Sequence, residues 1–228
     1  MNETIPSLVA TAIGHDPTRP LLTWYDDATG DRTELSGATL DNWVAKTANL
    51  LVDGVGLGPA DTVGVLLPPH WQSAVVLLGC WAAGVAVDHG PDPRPVEALF
   101  VATAGVADAA RAWSAGERYV LGLLPLGAPM RQVPDGYLDF VVEVRGQGDR
   151  FVASGPVGPH DLAVAGPTEL GHAELCEQAV SRAAELGITA GSRVLIDAVH
   201  HADPLDWLLA PLAVGASVVL CAQLDPSR

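Results

Sequence analysis

The amino-acid sequence predicts an α/β fold with two pseudo-symmetric, mostly parallel sheets and covering helices. Amphipathic helices alternate with short, continuously apolar strands, the loops between them are short, and the last third of the chain repeats the pattern of the first. A length of 228 residues allows one substantial core or two subdomains that share a core. We expect a single globular unit over residues 1–228, with related subdomains at about 20–95 and 160–226 joined by an irregular α/β segment.

The first part of the chain supplies the helix, strand, helix, strand order that is typical of a parallel sheet. In the helix that Ser36 is expected to cap, residues from Leu40 to Leu51 fall on one face at three- and four-residue spacing. Turn-forming residues 26–31 separate two β-prone runs, which predicts a β-hairpin. The expected elements are a helix at Thr4–Ile13, hairpin strands at Leu21–Tyr25 and Arg32–Leu35, the capped helix, a strand at Thr62–Leu67, a helix from Pro68 to about Ala83 and a strand at Val85–Asp88.

The middle of the chain is less regular, because Pro and Gly are frequent between residues 122 and 158. From Leu138 to Val144, apolar residues alternate with more polar neighbours, which favours a strand. The other expected elements are strands at Val96–Thr103, Tyr119–Leu124 and Asp161–Ala165, and a helix at Ala107–Ala115.

An offset of 131 residues aligns the first and last thirds of the chain without a gap. Each segment has an apolar-faced helix, a strand, a loop with a histidine, a Leu-Leu helix and a glycine that opens a second strand. The identical pairs include Ala48 with Ala179, Gly56 with Gly187, Val63 with Val194, His70 with His201, Leu77 with Leu208, Gly84 with Gly215 and Val87 with Val218. We interpret this as an internal repeat; the alternative is coincidental similarity of two parallel α/β units.

The chain is acidic, with a net charge of −15 from 27 acidic and 12 basic residues. A field this negative repels phosphate backbones, so we expect no nucleic-acid partner. Lys46 is the only lysine, and the other basic residues are arginines.

The cysteine pattern and the apolar segments favour a cytoplasmic protein. Cys80, Cys176 and Cys221 are widely separated and odd in number, which is typical of reduced, buried thiols. The N-terminus lacks the basic and apolar regions of a signal peptide. The apolar stretches at 74–87 and 205–222 are too short or too interrupted to cross a bilayer, so no membrane association is expected.

Four segments, in this order, resemble the N-terminal domain of AMP-dependent synthetases, the adenylate-forming, acyl-CoA synthetase-like enzymes. They are Leu22–Tyr25 with Arg32–Leu35, then Gly56–Pro68, Gly79–Val87 and Pro211–Leu220. The second is similar to the family's G-V-x-x-G-D-x-V-x-x-x-L-P segment, and the last to its P-L-x-x-G-A-x-V-V-L segment. In the third, Gly79 and Val85 stand where the family has alanines. The resemblance implies the paired-sheet fold and, in a complete enzyme, the use of ATP and magnesium.

The chain departs from the family where the phosphate loop is expected. That loop is a Ser/Thr/Gly-rich run ending in Pro-Lys-Gly, whose amides, hydroxyls and lysine hold the ATP phosphates. Residues 165–172 stand at this position, and Gly166, Thr168 and Gly171 are what remains of a phosphate site. Pro167 removes one amide donor. Glu169 adds a negative charge, and its uncompensated repulsion of a bound triphosphate is expected to cost on the order of several kcal/mol.

The family's nucleotide contacts, its magnesium-binding Glu and its C-terminal domain with a catalytic lysine would lie beyond the matched segments, and no counterpart is recognised here. Lys46 cannot substitute, because it belongs to the first long helix at a position expected to lie on the surface. No catalytic residue is therefore assigned. We expect no cofactor, since the residues that would bind ATP and magnesium are missing.

Two histidines are candidates for ligand contact. His70 and His201 both follow predicted strands, and parallel sheets bind ligands beyond the carboxyl ends of their strands. The run His200-His201-x-Asp203 could supply metal ligands, but it lacks a partner at metal-site spacing, and no metal site is predicted. Trp71, Trp81 and Trp207 are expected to fill the core; an acyl or aromatic pocket is the alternative.

These observations predict a pseudoenzyme of the adenylate-forming family, a non-catalytic binding or regulatory protein. The alternative is a ligase subunit that handles an acyl group, CoA or a nucleotide and needs a partner to complete its site. A third reading is structural: a homodimer or protein partner would cover apolar surface that the rest of the family fold covers in a complete enzyme.

Overall fold

The structure, a computed structural model, describes residues 3–14, 16–103 and 111–227 and contains two mainly parallel sheets. The strands are β1 (Pro20–Asp26), β2 (Arg32–Ser36), β3 (Thr62–Leu66), β4 (Ala86–Asp88), β5 (Val96–Ala102), β6 (Ala115–Leu121), β7 (Leu138–Asp139), β8 (Leu162–Val164), β9 (Leu170–Gly171), β10 (Arg193–Asp197) and β11 (Ser217–Ala222). The helices are α1 (Ile5–Gly14), α2 (Gly37–Asn49), α3 (Trp71–Ala82), α4 (Phe140–Arg145), α5 (His172–Glu185) and α6 (Ala210–Ala213).

The larger sheet has the order β7-β6-β5-β3-β4-β8-β9 and the smaller sheet the order β10-β11-β1-β2. Only the pairs β1–β2 and β8–β9 are antiparallel, among the strands that the structure describes. The predicted α/β fold with two mostly parallel sheets is confirmed. The sheets interleave along the chain, because the hairpin at 20–36 joins the C-terminal strands and β8 and β9 join the larger sheet. The subdomain bounds 20–95 and 160–226 stay a prediction, and they do not follow the division into sheets.

The helices meet between the two sheets. Helix α3 contacts β1 of the smaller sheet and β3 and β4 of the larger one. Every residue from Trp71 to Trp81 is buried, as expected for a helix that is covered on all sides. Helix α1 packs against α2, α3, α5 and α6, so the short N-terminal helix closes the layer.

Most predicted elements of the first part are confirmed, including the hairpin and the Ser36 cap. The Ser36 Oγ accepts a hydrogen bond from the Thr39 amide at 3.2 Å. Helix α2 continues as a π-helical turn at Leu50–Val55, and a second π-helical turn at Leu205–Leu209 precedes α6. Gly56 ends the first of these turns with a φ of 84°, a left-handed conformation that suits glycine.

The predicted strand from Leu138 to Val144 is wrong, because the chain forms a two-residue strand and then α4. The Asp139 carboxylate starts the helix by accepting the Val141 amide at 2.8 Å. Helical spacing buries Phe140, Val141 and Val144 and leaves Val142 54% exposed. An alternating run this short fits either element, and the cap decides for the helix.

Two other boundaries in the middle of the chain differ from expectation. The strand predicted at Tyr119–Leu124 begins earlier and ends earlier, at Ala115–Leu121. In the helix predicted at Ala107–Ala115, residues 107–110 lie outside the described residues, residues 111–114 form turns, and Ala115 begins β6.

The 131-residue offset also relates strand bounds and strand pairing. Strand β3 begins at Thr62 and β10 at Arg193. Thr62 pairs with Ala86 in the larger sheet, and Arg193 pairs with Ser217 in the smaller one, so the same offset relates both partners. An origin by duplication stays a prediction.

Candidate functional site

A cleft of about 440 Å³ opens where strands of the larger sheet reach their carboxyl ends. Its walls come from the end of β3 and the segment after it, from α3, from the residue after β4, from the end of β5 and from the segment that follows β10 of the smaller sheet. The lining residues are Val65, Leu66, Leu67, Pro68, Ser73, Leu77, His89, Ala102, Ala202, Pro204 and Trp207. We call this the inter-sheet cleft. Its wall is mainly apolar, with polar atoms from Ser73 and His89, which suits a small apolar ligand.

Neither Ser73 nor His89 was singled out from the sequence. The signal for His89 was available, since it directly follows the apolar strand that ends at Asp88. Ser73 lies one turn into α3, and its hydroxyl donates to the Pro68 carbonyl at 2.6 Å. The three tryptophans expected in the core, Trp71, Trp81 and Trp207, are all buried. Trp207 also lines the cleft, so one member of this set belongs to a ligand-sized space.

The segment at the phosphate-loop position, Ala165–His172, connects β8 to α5. The amides at its two ends bond to the protein itself. The Ala165 amide donates to the Val87 carbonyl at 2.9 Å, and the Gly171 amide donates to the Glu174 carboxylate at 3.0 Å. The next amides, of His172 and Ala173, donate to the carbonyls of Asp161 and Pro159. The amides of Gly171, His172 and Ala173 at the start of α5 are therefore not free to bind a phosphate, as those of an uncapped helix N-terminus would be.

The segment at 165–172 also lies against a buried carboxylate. Gly166 has a φ of 144°, which favours glycine, and a Cβ at this position would lie 3.8 Å from Asp88 Oδ1. Asp88 is buried; it accepts the Gly90 amide at 2.9 Å and forms an ion pair with Arg94 at 3.3 Å. Thr168 is exposed and so is Glu169. Two acidic side chains, Asp88 and Glu169, thus lie at or beside the segment at the expected phosphate-loop position.

His70 is buried at 2% exposure and does not line the inter-sheet cleft. Its Nδ1 caps α3 by accepting a hydrogen bond from the Gln72 amide at 3.1 Å. Its ring packs edge-on against Trp24, with 4.5 Å between the ring centroids. Burial lowers the pKa of His70 to about 3, which keeps the ring neutral. The expectation of a ligand-facing loop residue does not describe its position, because the cap turns the ring into the core.

His201 is partly exposed and belongs to an ionic network. Its Nδ1 lies 3.3 Å from Asp206 Oδ2, and the same carboxylate receives Arg182 of α5 in a two-pronged contact at 2.7 and 3.1 Å. Arg182, followed by His201, holds the pKa of Asp206 below its ordinary value. The two repeat-related histidines therefore differ in role, one capping a helix and one binding a carboxylate.

The described part of the chain lacks two features that would indicate other classes of site. Among residues 3–14, 16–103 and 111–227, no three His, Cys, Asp or Glu side chains are grouped so that they could hold a metal ion. In the same ranges, no helix has the length and apolar character needed to cross a membrane.

Lys46 fastens a long connection to the fold. Its side chain is 16% exposed, and its Nζ donates to the Gln147 carbonyl at 2.7 Å and pairs with Asp149 at 2.6 Å. Asn42 and Asn49 of α2 bind backbone carbonyls of the same connection. We call residues 147–157 the strap; together with α1 they border an open groove of about 700 Å³. The prediction that Lys46 lies at the surface is wrong, because the strap covers it.

Replacing Lys46 with methionine is expected to lower the free energy of unfolding by about 2 kcal/mol, since a carbonyl loses a charged donor in a mostly buried place. Urea unfolding followed by circular dichroism measures the change. Asp149→Asn is the matched control, and it is expected to be nearly neutral because Asp149 is largely exposed. Equal stability of Lys46→Met and the wild type would contradict the structural role of the lysine.

Comparison with known proteins finds a matching family model, a relative of similar sequence and a set of solved structures with a similar fold. A model of the AMP-binding enzyme family, described as "AMP-binding enzyme", matches residues 9–88. A "TIGR03089 family protein" from Mycobacterium tuberculosis (strain ATCC 25618 / H37Rv) is 42% identical over 217 residues, which cover 93% of this chain and 86% of that relative.

Solved structures of ligases have a similar fold. The acetoacetyl-CoA synthetase from Streptomyces lividans matches with a TM-score of 0.75 and 18% identity over 98% of this chain and 39% of that one. The anthranilate CoA ligase AuaEII, solved in complex with anthranoyl-AMP, matches with a TM-score of 0.74 and 16% identity over 96% of this chain and 46% of that one. A benzoate CoA ligase from Burkholderia xenovorans LB400 matches with a TM-score of 0.71 and 18% identity over 96% of this chain and 45% of that one. The chain spans less than half the length of these structures, and at such low identity the likeness concerns the fold.

Proposed function

Because the chain belongs to the family of the mycobacterial TIGR03089 family protein, among the AMP-binding enzymes, we propose that it is a non-catalytic binding or regulatory protein built on the adenylate-forming fold. The observation that carries the proposal is the hydrogen bonding at the two ends of the segment at the phosphate-loop position. The amides of Ala165 and of Gly171, His172 and Ala173 already have acceptors within the chain, so they are not free to hold ATP phosphates. The inter-sheet cleft remains as the candidate binding site for a small apolar ligand.

The Glu174 carboxylate strengthens the argument, because it occupies the start of α5 with the same charge that a phosphate would bring. A phosphate would have to displace it from the Gly171 amide and then lie near the negative charge of Glu169. The sole lysine does not offset these charges, since its ammonium group is bound to the strap. Weak or absent ATP affinity follows from all three features.

Thermal unfolding of the chain with and without magnesium and ATP tests the proposal. A ligand at 100 times its dissociation constant stabilises a protein by about 2.7 kcal/mol, which raises the melting temperature by several degrees. We expect no rise at millimolar ATP. A complete enzyme such as a benzoate CoA ligase serves as the positive control. A rise that disappears in Thr168→Ala would assign ATP to the phosphate-loop remnant and contradict the proposal.

Catalysis is tested separately by hydroxamate formation with a panel of aliphatic and aromatic carboxylic acids. Adenylate-forming enzymes activate the acid with ATP, and hydroxylamine traps the activated acyl group. We expect no product above a blank without protein. ATP-dependent product from the chain alone would overturn the non-catalytic assignment.

The alternative function is that of a ligase subunit whose site is completed by a partner. The open inter-sheet cleft favours it, since a ligand-sized space lies at the carboxyl ends of the strands where α/β proteins bind ligands. Acyl-CoA or a free acid would then raise the melting temperature although ATP does not. His89→Phe fills the cleft and is expected to remove the rise in melting temperature. Val180→Phe, on the exposed face of α5, is the control and is expected to retain it.

A further inference from the structure

The smaller sheet ends at β10, which pairs with β11 on one side and has no described neighbour on the other. We propose that this edge pairs antiparallel with β10 of a second copy of the chain, joining two four-stranded sheets across a twofold axis at Leu195. The proposal names the surface of a homodimer and is independent of the proposed function. It rests on the direction of the backbone groups, on the charge pattern of the strand and on an exposed leucine.

The backbone groups of alternate β10 residues point to the open edge. The Ser192 carbonyl accepts the Ser217 amide, and the Ala198 amide donates to the Cys221 carbonyl, so the even-numbered residues of this strand face β11. Residues 193, 195 and 197 therefore direct their amides and carbonyls away from the sheet. The Asp197 carbonyl already accepts the His201 amide at 3.1 Å, and the other groups of these three residues are available for pairing.

These three residues suit an antiparallel twofold arrangement. With Leu195 opposite its own copy, Arg193 lies opposite Asp197 of the partner strand, and the reverse pair forms by symmetry. All three are then in hydrogen-bonded positions, where the Asp197 carbonyl accepts the Arg193 amide of the second copy with the lone pair that the His201 amide leaves free. Their side chains share the outer face of the sheet. Opposite charges in directly facing positions stabilise strand pairing.

Leu195 and Arg193 are exposed at the edge. The Asp197 carboxylate already accepts the Val199 amide and pairs with the exposed His200 at 2.7 Å, so Arg193 of the second copy has to share or replace the contact with His200. Leu195 is 59% exposed and has apolar surface to bury against its copy. The Arg193 side chain is 54% exposed, and its ion pair with Glu34 is long, at 3.8 Å. Charged side chains on an edge strand usually prevent association, but Arg193 and Asp197 carry opposite charges and face each other in this register, so here they favour pairing with a second copy.

The net charge of −15 on each chain opposes association at long range. At physiological ionic strength the Debye length is about 8 Å, so this repulsion is largely screened while facing Arg and Asp side chains still attract. Local charge complementarity therefore decides the orientation of the pair, and association is expected to weaken at low salt.

Sedimentation velocity of the full chain at physiological ionic strength, from about 1 to 100 µM, is the first test, because a small interface of one strand per chain belongs to the class of weak complexes. The proposal requires a species of twice 23.6 kDa that increases with concentration. The interface contains two pairs of residues 193 and 197, and either Arg193→Asp or Asp197→Arg turns both into pairs of like charge. We expect each substitution to raise the dissociation constant of the dimer at least about tenfold. A mass of 23.6 kDa at every concentration overturns the proposal, whatever else covers the edge.

Mixing the two charge variants is the decisive control. Each variant alone is expected to associate at least about tenfold more weakly than the wild type, because like charges then face each other. In the mixed dimer, the aspartate introduced at position 193 of one chain faces the arginine introduced at position 197 of the other. The native Asp197 of the first chain faces the native Arg193 of the second, so the heterodimer is expected to form with near wild-type affinity. Circular dichroism checks that each variant is folded, and folded variants that fail to associate when mixed would exclude this register.

A covalent probe keeps the test valid if Asp197→Arg unfolds. Leu195→Cys places two thiols opposite each other at a Cα separation of about 5.5 Å, which a disulfide can span. We expect mild oxidation to give a cross-linked dimer of Leu195→Cys. Val180→Cys, on the exposed face of α5, is the control and is expected to stay monomeric. Equal cross-linking of both variants would indicate random collision and contradict the proposal.

Discussion

Substitution of Gly79 by alanine is expected to destabilise the protein by about 3 kcal/mol, because α2 and α3 are in contact at this glycine. A Cβ at residue 79 would lie 2.5 Å from Cβ and Cγ2 of Thr47. Thr47 is fully buried on α2, and α3 lies between the two sheets, so neither helix can shift without disturbing a sheet. The cost is larger than usual for one methyl group because the clash involves a Cβ atom, which side-chain rotation cannot move.

Urea unfolding of three variants measures this effect. Gly58→Ala is the control, since a Cβ there meets no atom within 4 Å, and we expect its stability to remain within about 0.5 kcal/mol of the wild type. Adding Thr47→Gly to Gly79→Ala removes the clashing atoms and is expected to restore part of the loss, limited by the helix cost of glycine, about 1 kcal/mol. Gly79→Ala as stable as Gly58→Ala would show that the helices separate easily.

The sequence predicted which segments form helices and strands better than how they assemble. Periodicity and turn residues are local, so the hairpin at 20–36 and the helix capped by Ser36 were predictable. The pairing of β1 with β11 depends on contacts between residues almost 200 positions apart, which no local pattern records. The close contact at Gly79 was equally hidden, since a glycine in a helical run indicates neither its partner nor the distance.

The sequence supported expectations about the chemistry of the candidate site but contained no information on its geometry. Pro167 and Glu169 indicated a weakened phosphate loop, and the structure adds that Glu174 and backbone carbonyls bond to the neighbouring amides. His70 follows a strand as the sequence suggested, yet whether such a residue faces the cleft or the core depends on its rotamer and its cap. Lys46 was expected at the surface because the strap that covers it is more than 100 residues away in the chain.

Lowering the pH from 7 to 4 is expected to destabilise the protein strongly through two buried histidines. Burial lowers the pKa of His70 to about 3 and that of His172 to about 4, and the charge of Asp161 offsets part of the second shift. In the unfolded chain both titrate near the ordinary value of about 6.5. The folded state thus favours the neutral rings, so their contribution is complete above pH 6.5 and is lost as the pH falls towards the folded pKa values. At pH 4 the loss for His70 alone is about 3 kcal/mol.

Variants separate this effect from the titration of carboxylates in the same range. Asparagine at residue 70 retains an acceptor for the Gln72 amide that His70 Nδ1 binds, and asparagine at 172 does so for the Ile5 amide. Both variants lose the ring and its titration. We expect each to be less stable than the wild type at pH 7 but to lose less stability between pH 6.5 and 4, as measured by urea unfolding at several pH values. His89→Asn, at an exposed position, should retain the wild-type slope. If His70→Asn also retained that slope, the acid sensitivity would have to come from carboxylates, and the neutral, buried state of His70 would be refuted.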